Sequence, residues 1–248
     1  MTGPIISLVS VDKAFAGHPV LTDASLEIRA GEIVAILGAS GSGKSVTLKT
    51  INGLIVPDAG EIHVLGHAIH ELEEKELNPL RRRVSYLFQG GALFDSMTVF
   101  DNVAFPIREH MRFGKEDLSI KVQALLEMVQ LQNLEHLHPS ELSGGMRKRV
   151  AVARALALEP EIILYDEPTT GLDPVTGEAI ANLILDLNRR LGMTSVVVTH
   201  DIPLVMRVAE RILFLEEGRF CYSGTIENAR SEGPETVKKF FEAGVSHA

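Results

Sequence analysis

A chain of 248 residues, 45% hydrophobic and 23% charged, is long enough to bury a sizeable core in one large domain or two lobes. Its net charge of −9 excludes a general nucleic-acid binder, which needs a basic face to neutralise phosphates. The single cysteine, Cys221, excludes an internal disulfide and suits a reducing compartment, and no run approaches the roughly 18 apolar residues of a membrane helix.

At the N-terminus, Met1-Thr-Gly-Pro-Ile-Ile has no basic region leading into an apolar one, so no secretory signal is expected and the chain reads as cytosolic. From Ile6 to about Ile69, short β-rich stretches alternate with turns. Gly31-Glu-Ile-Val-Ala-Ile-Leu37 is β-branched and apolar, a strand expected to be buried on both faces. It runs into Gly38-Ala39-Ser40-Gly41-Ser42-Gly43-Lys44-Ser45-Val46, which carries the phosphate-loop pattern G-x-x-x-x-G-K-[ST]. Gly38, Gly41 and Gly43 let the backbone turn so that its N–H groups face an anion. A helix over Ser45–Asn52, stopped at Gly53, turns its positive end to the same point. Lys44 is expected to reach the β- and γ-phosphates of a nucleotide, and the Ser45 hydroxyl to complete an oxygen shell around Mg²⁺. The other reading is an ordinary Gly-rich turn; a strand before it and a helix after it argue against that.

Pro57-Asp-Ala-Gly60 marks a turn before a strand over Glu61–Leu65. His63, His67 and His70 then suggest a metal, but there is neither a cysteine nor a regular helix to set their spacing, so surface histidines are the expectation. A further strand, Val84-Ser-Tyr-Leu-Phe88, ends at Gln89, a neutral side chain suited to contact Mg²⁺ or water. From about Gly90 the pattern turns helical; Leu118, Val122, Leu125, Leu126 and Val129 fall on one helix face. On the way, Leu93, Phe94 and Met97 sit on a Gly-flanked loop, fitting either a groove for a partner's helix or packing of the helical lobe.

Leu142-Ser-Gly-Gly-Met146 follows, with Ser143 a good N-cap for a helix over Met146–Leu158, and Gly144 and Gly145 leaving its first amides open to an anion. The basic runs Arg81-Arg-Arg83 and Arg147-Lys-Arg149 read as solvated or subunit-contacting faces. The apolar strand Glu161-Ile-Ile-Leu-Tyr-Asp166 brings Asp166 to the carboxyl edge of a parallel sheet, where such sheets bind ligands. Asp166 can hold Mg²⁺ through water. By strand alternation Glu167 points to the other side, toward an attacking water whose proton it can accept; a solvated acidic pair is the bland alternative. A helix through Ala179–Leu191 leads to the strand Ser195–Thr199 and His200, again at the carboxyl edge. A hairpin, Arg211–Leu215 with Arg219–Tyr222, and a helix over Pro234–Ala243 complete the chain.

The phosphate loop, LSGGM, the strand ending in Asp166-Glu167, Gly171-Leu-Asp173 and Thr199-His200-Asp201 occur in one order. In that order, and across nearly the whole chain, they resemble the ATPase subunits of ABC transporters. The resemblance implies an α/β P-loop NTPase fold: a RecA-like mixed-sheet core, an antiparallel β subdomain and an inserted α-helical subdomain. One domain, 1–248, would have its core at about 1–89 and 159–248 and its helical part at about 90–158. ATP and Mg²⁺ are the implied cofactors. Phe15 takes the family's adenine-stacking position (a core role is the other reading), Gln89 that of its Q-loop glutamine, Asp173 of its D-loop aspartate and His200 of its switch histidine. A lone strand-end histidine is more often structural; the resemblance reverses that. Ser143, Gly144 and Gly145 would clasp the γ-phosphate bound by a second copy, so that two chains close head to tail around two ATP. Met146 departs from the family's usual Gln and loses an amide contact.

Gly90–Glu109 together with LSGGMRKRV resembles the ATPases of Mla/Mce-type phospholipid transporters. That implies ATP-driven phospholipid movement between inner and outer membranes, which maintains outer-membrane lipid asymmetry. It also implies transmembrane permease subunits, a periplasmic Mce-domain lipid-binding protein, a small cytosolic STAS-domain protein, and a place on the cytoplasmic face of the inner membrane. Another cargo (amino acid, metal or drug) is the alternative, since cargo never touches this subunit. A soluble ABC protein acting on ribosomes or DNA fits less well, for want of a second cassette or sustained heptads.

Overall fold

The computed structural model describes residues 3–245. Strand β1 (Ile6–Phe15) folds back on β2 (His18–Ile28), with Ile6 opposite Ile28 and Phe15 opposite His18. After β3 (Ile33–Leu37) the chain forms α1 (Lys44–Ile51), then β4 (Ala59–Val64) and the short β5 (His67–Ala68). These complete an antiparallel sheet in the order β2-β1-β4-β5. Helix α2 (Glu74–Arg83) leads into β6 (Val84–Leu87). Helices α3 (Val99–His110), α4 (Lys115–Met128) and α5 (Gly144–Leu156) come next. The chain then alternates through β7 (Ile162–Asp166), α6 (Pro174–Leu191), β8 (Thr194–Val198), α7 (Ile202–Val208) and β9 (Arg211–Glu216). It closes with β10 (Arg219–Gly224), α8 (Ile226–Ser231) and α9 (Glu235–Val245).

The second sheet has the order β10-β9-β3-β8-β7-β6, parallel except for the β10 edge. Every residue of β3, β7 and β8 is buried, including the polar Asp166, Thr194 and Ser195, because helices or the other sheet cover both faces. Alternation along the strands divides the core. Val34, Ile36, Leu164, Val196 and Val198 pack toward α1 and the antiparallel sheet, while Ile163, Tyr165 and Val197 pack toward α5 and α6. Each such aliphatic side chain contributes about 1.5–3 kcal/mol when fully buried.

Register positions the chemistry. Leu87 pairs with Tyr165, Asp166 with Val198, and Ile36 with both Val198 and Leu213. Four parallel strands therefore end together, delivering Gly38, Gln89, Asp166 and Thr199-His200 to one edge.

Helix α1 begins one residue earlier than its sequence pattern suggests, at Lys44, and two other helices begin earlier still. Helix α5 starts at Gly144, with the signature glycines inside its first turn, because the Ser143 hydroxyl accepts the Met146 N–H at 3.2 Å. Helix α6 starts at Pro174, where Asp173 caps the Thr176 N–H at 3.0 Å and proline takes the first helical position. Along α4 the buried residues are Leu118, Val122, Leu125 and Leu126, the face expected from their spacing.

Candidate active site

A cleft of about 530 Å³ opens at this edge, walled by the phosphate loop, Val46, Val20, Gln89, Glu167, His200 and Phe240. Two glycines of the loop permit contacts that no larger residue could make. A Cβ on Gly38 would lie 2.2 Å from the Leu215 carbonyl oxygen, and one on Gly43 would lie 2.8 Å from that of Val20. Both also have positive φ, 154° and 106°. Lys44 is only 7% exposed, and its ammonium donates to the Gly38 and Ala39 carbonyls, each at 2.9 Å. Burial draws its pKa down, against the pull of the Glu167 and Asp166 carboxylates. Ser42 Oγ, inside the loop, is buried with no hydrogen-bond partner. An orphaned hydroxyl in a glycine cradle at a helix N-terminus fits a phosphate group.

Asp166 ends β7 and is held at both oxygens. Oδ1 accepts from the Ser45 hydroxyl and Oδ2 from the Tyr86 hydroxyl, each at 2.7 Å. Ser45 and Asp166 thus present hard oxygen donors side by side, a set that suits Mg²⁺. Burial, then the bond to Asp166, pushes the Tyr86 hydroxyl far above the ordinary tyrosine range, so it stays a proton donor. Tyr86 belongs to no short motif, and only the pairing of β6 beside the Asp166 strand brings it to the site.

Glu167 is aimed by a backbone turn rather than by strand alternation. The strand stops at Asp166, and Glu167 adopts a left-handed φ of 50°. Such a conformation costs a non-glycine residue on the order of 1–3 kcal/mol and concentrates at functional sites. His200 Nδ1 lies 2.9 Å from Glu167 Oε1, while the Thr170 and Thr199 hydroxyls both donate to Oε2 at 3.2 Å. A carboxylate held at this strand end, beside a phosphate cradle, is placed to take a proton from water.

Phe15, Asp173 and Ser143–Gly145 are not among the walls of this cleft. Phe15 is 44% exposed, which removes the core reading, and the Lys13 ammonium lies 5.4 Å from its ring centre. Asp173 and the signature glycines form a second cluster. A Cβ on Gly145 would meet the Thr176 methyl at 2.4 Å, and one on Gly144 would meet Leu172 at 3.2 Å, so the start of α5 packs tightly on the start of α6. The Thr176 hydroxyl and N–H hold the Asp173 carboxyl below its ordinary pKa.

The basic runs are not simple solvated faces. Arg81 donates to the Asn52 and Gly53 carbonyls at the end of α1. Lys148 is 7% exposed and donates to the carbonyls of Gln89 and Glu167. Of the loop residues, Leu93 packs on the helical core, whereas Phe94 is 42% exposed, its ring tilted against that of Phe105 with centres 5.1 Å apart and Arg154 over its face. Buried Asn102 orders this loop by bonding the N–H and carbonyl of Phe94 and the carbonyls of Met97 and Thr98. His63 Nε2 lies 3.0 Å from Glu61, and the His63 and His70 rings meet edge to face.

The family model described as ABC transporter matches residues 21–170. The chain belongs to the ABC transporter family. It is 43% identical over 223 residues to the intermembrane phospholipid transport system ATP-binding protein MlaF of Escherichia coli (strain K12), a match spanning 90% of this chain and 83% of the relative. It is also 43% identical over 239 residues to the methionine import ATP-binding protein MetN of Caulobacter vibrioides, spanning 95% and 72%. Among solved structures, the dimeric post-hydrolysis cassette MJ0796 bound to ADP and Pi superposes with a TM-score of 0.82 at 36% identity, covering 89% of this chain and 98% of that one. The fold is therefore that of an ABC ATPase, and as a member of this family the chain is an ATP-binding, ATP-hydrolysing transporter subunit.

Proposed function

We propose that this chain drives a phospholipid transporter, working as a head-to-tail pair of copies on the cytoplasmic face of the inner membrane. The observation that carries the catalytic half is the meeting of Lys44, Ser45, Asp166, Glu167 and His200 at one sheet edge. Lys44 neutralises the β- and γ-phosphates. Ser45 and Asp166, with Gln89, would hold Mg²⁺, which when bound would supply positive charge to the phosphate oxygens. Glu167 accepts the proton of a water whose oxygen bonds to the γ-phosphorus as the β–γ bridge breaks toward ADP. His200 orients Glu167 through Nδ1 and turns its other nitrogen to the γ-phosphate. Phe15 stacks the adenine.

The separation of Ser143–Gly145 and Asp173 from the phosphate cleft supports a composite site, each made from the loop of one copy and the signature of the other. The dimeric, ADP-bound cassette to which the chain is similar supports a pair of copies. ATP favours the closed pair and ADP does so far less, so closure and hydrolysis alternate. We read 1–248 as one domain, with its helical part at about 90–158 facing the permease.

Phospholipid as cargo rests on the 43% identity to MlaF and on the likeness of Gly90–Glu109 to that branch of the family. With it go permease subunits, a periplasmic Mce-domain protein and a STAS-domain protein. The equal identity to a methionine import ATPase supplies the second reading, an amino acid. A purified complex with its permease decides between them. ATP-driven transfer of fluorescent phospholipid between vesicles is expected, and transport of methionine without lipid transfer would overturn the cargo. Phe94→Asp in the same assay should leave ATP binding by the isolated chain intact while detaching it from the permease, and normal assembly would remove the docking role.

A further inference from the structure

We propose that Lys148 is a positioning residue for Glu167, tying the signature helix of each chain to the base of that same chain. The proposal rests on Glu167 being that base.

Lys148 lies on α5, one turn beyond the glycines of its first turn, and its side chain runs inward. Its ammonium donates to the carbonyl of Gln89 and, at 3.4 Å, to that of Glu167. Both acceptors are main-chain oxygens, and among the described residues Lys148 makes no salt bridge. A buried ammonium bonded to two main-chain oxygens costs desolvation, which the field of the nearby Glu167 and Asp166 carboxylates offsets only in part. That cost points to a role beyond stability.

The position of its acceptors indicates what. The ladder between β6 and β7 pairs Leu87 with Tyr165, and Gln89 and Glu167 lie just past that last pair. Beyond it, the two strand ends leave for different tasks. One becomes the loop that carries Gln89 and the exposed Phe94; the other turns through the left-handed Glu167. Lys148 spans the opening with a single ammonium group. A residue at positive φ has an unfavourable backbone and needs outside contacts to hold it. The Lys148 bond to its carbonyl is one such contact, and the bond from its N–H to the Val198 carbonyl at 2.9 Å is another. Arg154, further along α5, donates to the Gly91 carbonyl at 2.7 Å, so the helix grips the Gln89 loop at two points. The ammonium also faces the Glu167 and Asp166 carboxylates, whose field partly offsets the lowering of its pKa by burial. A displacement of α5 thus reaches the carbonyl of Glu167 through one side chain.

The test is a double-mutant cycle on the full chain, reading kcat, KM for ATP, binding of a fluorescent ATP analogue and thermal melting. Lys148→Met should lower kcat by roughly 10- to 100-fold, the scale of a misplaced catalytic group, with nucleotide affinity within about twofold of the parent. Lys148→Arg, which keeps charge and donors, should recover most of that loss. In a Glu167→Gln background Lys148→Met should slow turnover no further, because there is no base left to misplace. If Lys148→Met fails to fold, Lys148→Gln carries the same cycle. A parental kcat in either neutral variant, or an equal proportional loss in the Glu167→Gln background, would overturn the positioning role. Parental turnover by Glu167→Gln alone would instead overturn the assignment of the base, so the two failures are distinguishable.

Discussion

At the residue scale, the site is held by hydroxyls and cations that the short motifs do not spell out. The phosphate loop, Asp166, Glu167 and His200 are legible in the sequence because each sits in a short pattern at the end of an apolar strand. Tyr86 and Lys148 are not, because what matters is the neighbour each meets after folding, and neither neighbour is close in sequence. Tyr86 gives a direct prediction. Its hydroxyl occupies one oxygen of Asp166 while Ser45 occupies the other, at 2.7 Å each. Tyr86→Phe keeps the ring, and its contact with Phe88 at 4.5 Å, but frees the carboxylate to rotate. The Mg²⁺ concentration for half-maximal turnover should rise about 10-fold, typical of lost partners of a metal ligand. Nucleotide binding in EDTA should stay at the parental level. An unchanged Mg²⁺ requirement would show that Ser45 alone fixes Asp166.

At the element scale, strands are legible in the sequence where apolar residues dominate, as in β3, β7 and β8. Helix boundaries set by capping are less so. Helix α6 begins at Asp173-Pro174, a cap followed by proline at the first position, and α7 begins at Asp201 with proline one place later, at Pro203. The apolar period of α6 dominates and hides its first turn. The joint between sheets carries a further prediction. Arg211, opening β9, donates to the Glu27 carbonyl of β2 at 2.7 Å and to Glu32 before β3 at 2.9 Å. Burial raises the Glu32 carboxyl, but Arg211 and the Arg29 N–H outweigh it and hold its pKa below the ordinary 4.5. A folded pKa below the unfolded one means that the stabilisation is complete above the unfolded value and is lost as pH falls through the folded one. Glu32→Gln should therefore destabilise the protein at pH 7 by about 1.5–3 kcal/mol, the worth of a charged hydrogen bond. Its melting curve should converge with the parent's as the pH falls through the lowered folded pKa of Glu32. A gap independent of pH would assign the effect to packing.

At the scale of the whole molecule, one chain carries two clusters of motif residues, which the proposed composite site brings together from two copies. The phosphate cleft gathers the strand ends, and Ser143–Gly145 with Asp173 gather the starts of α5 and α6. That division was legible only through resemblance, since nothing in the spacing of LSGGM tells which chain's phosphate it meets. Ser143→Arg replaces the cap with a bulky cation on the second surface. It should leave ATP bound at the phosphate loop and abolish turnover, and a fully active Ser143→Arg chain would sink the composite site. The central claim, that ATP closes two copies around a site whose base is Glu167, is tested most directly by the mass in solution of Glu167→Gln chains with and without MgATP. Light scattering should find single chains without nucleotide and a stable pair with it, while ATP turnover falls by roughly 10²–10⁴-fold. Glu167→Gln chains that stay single at saturating MgATP, or that hydrolyse it at the parental rate, would contradict the account.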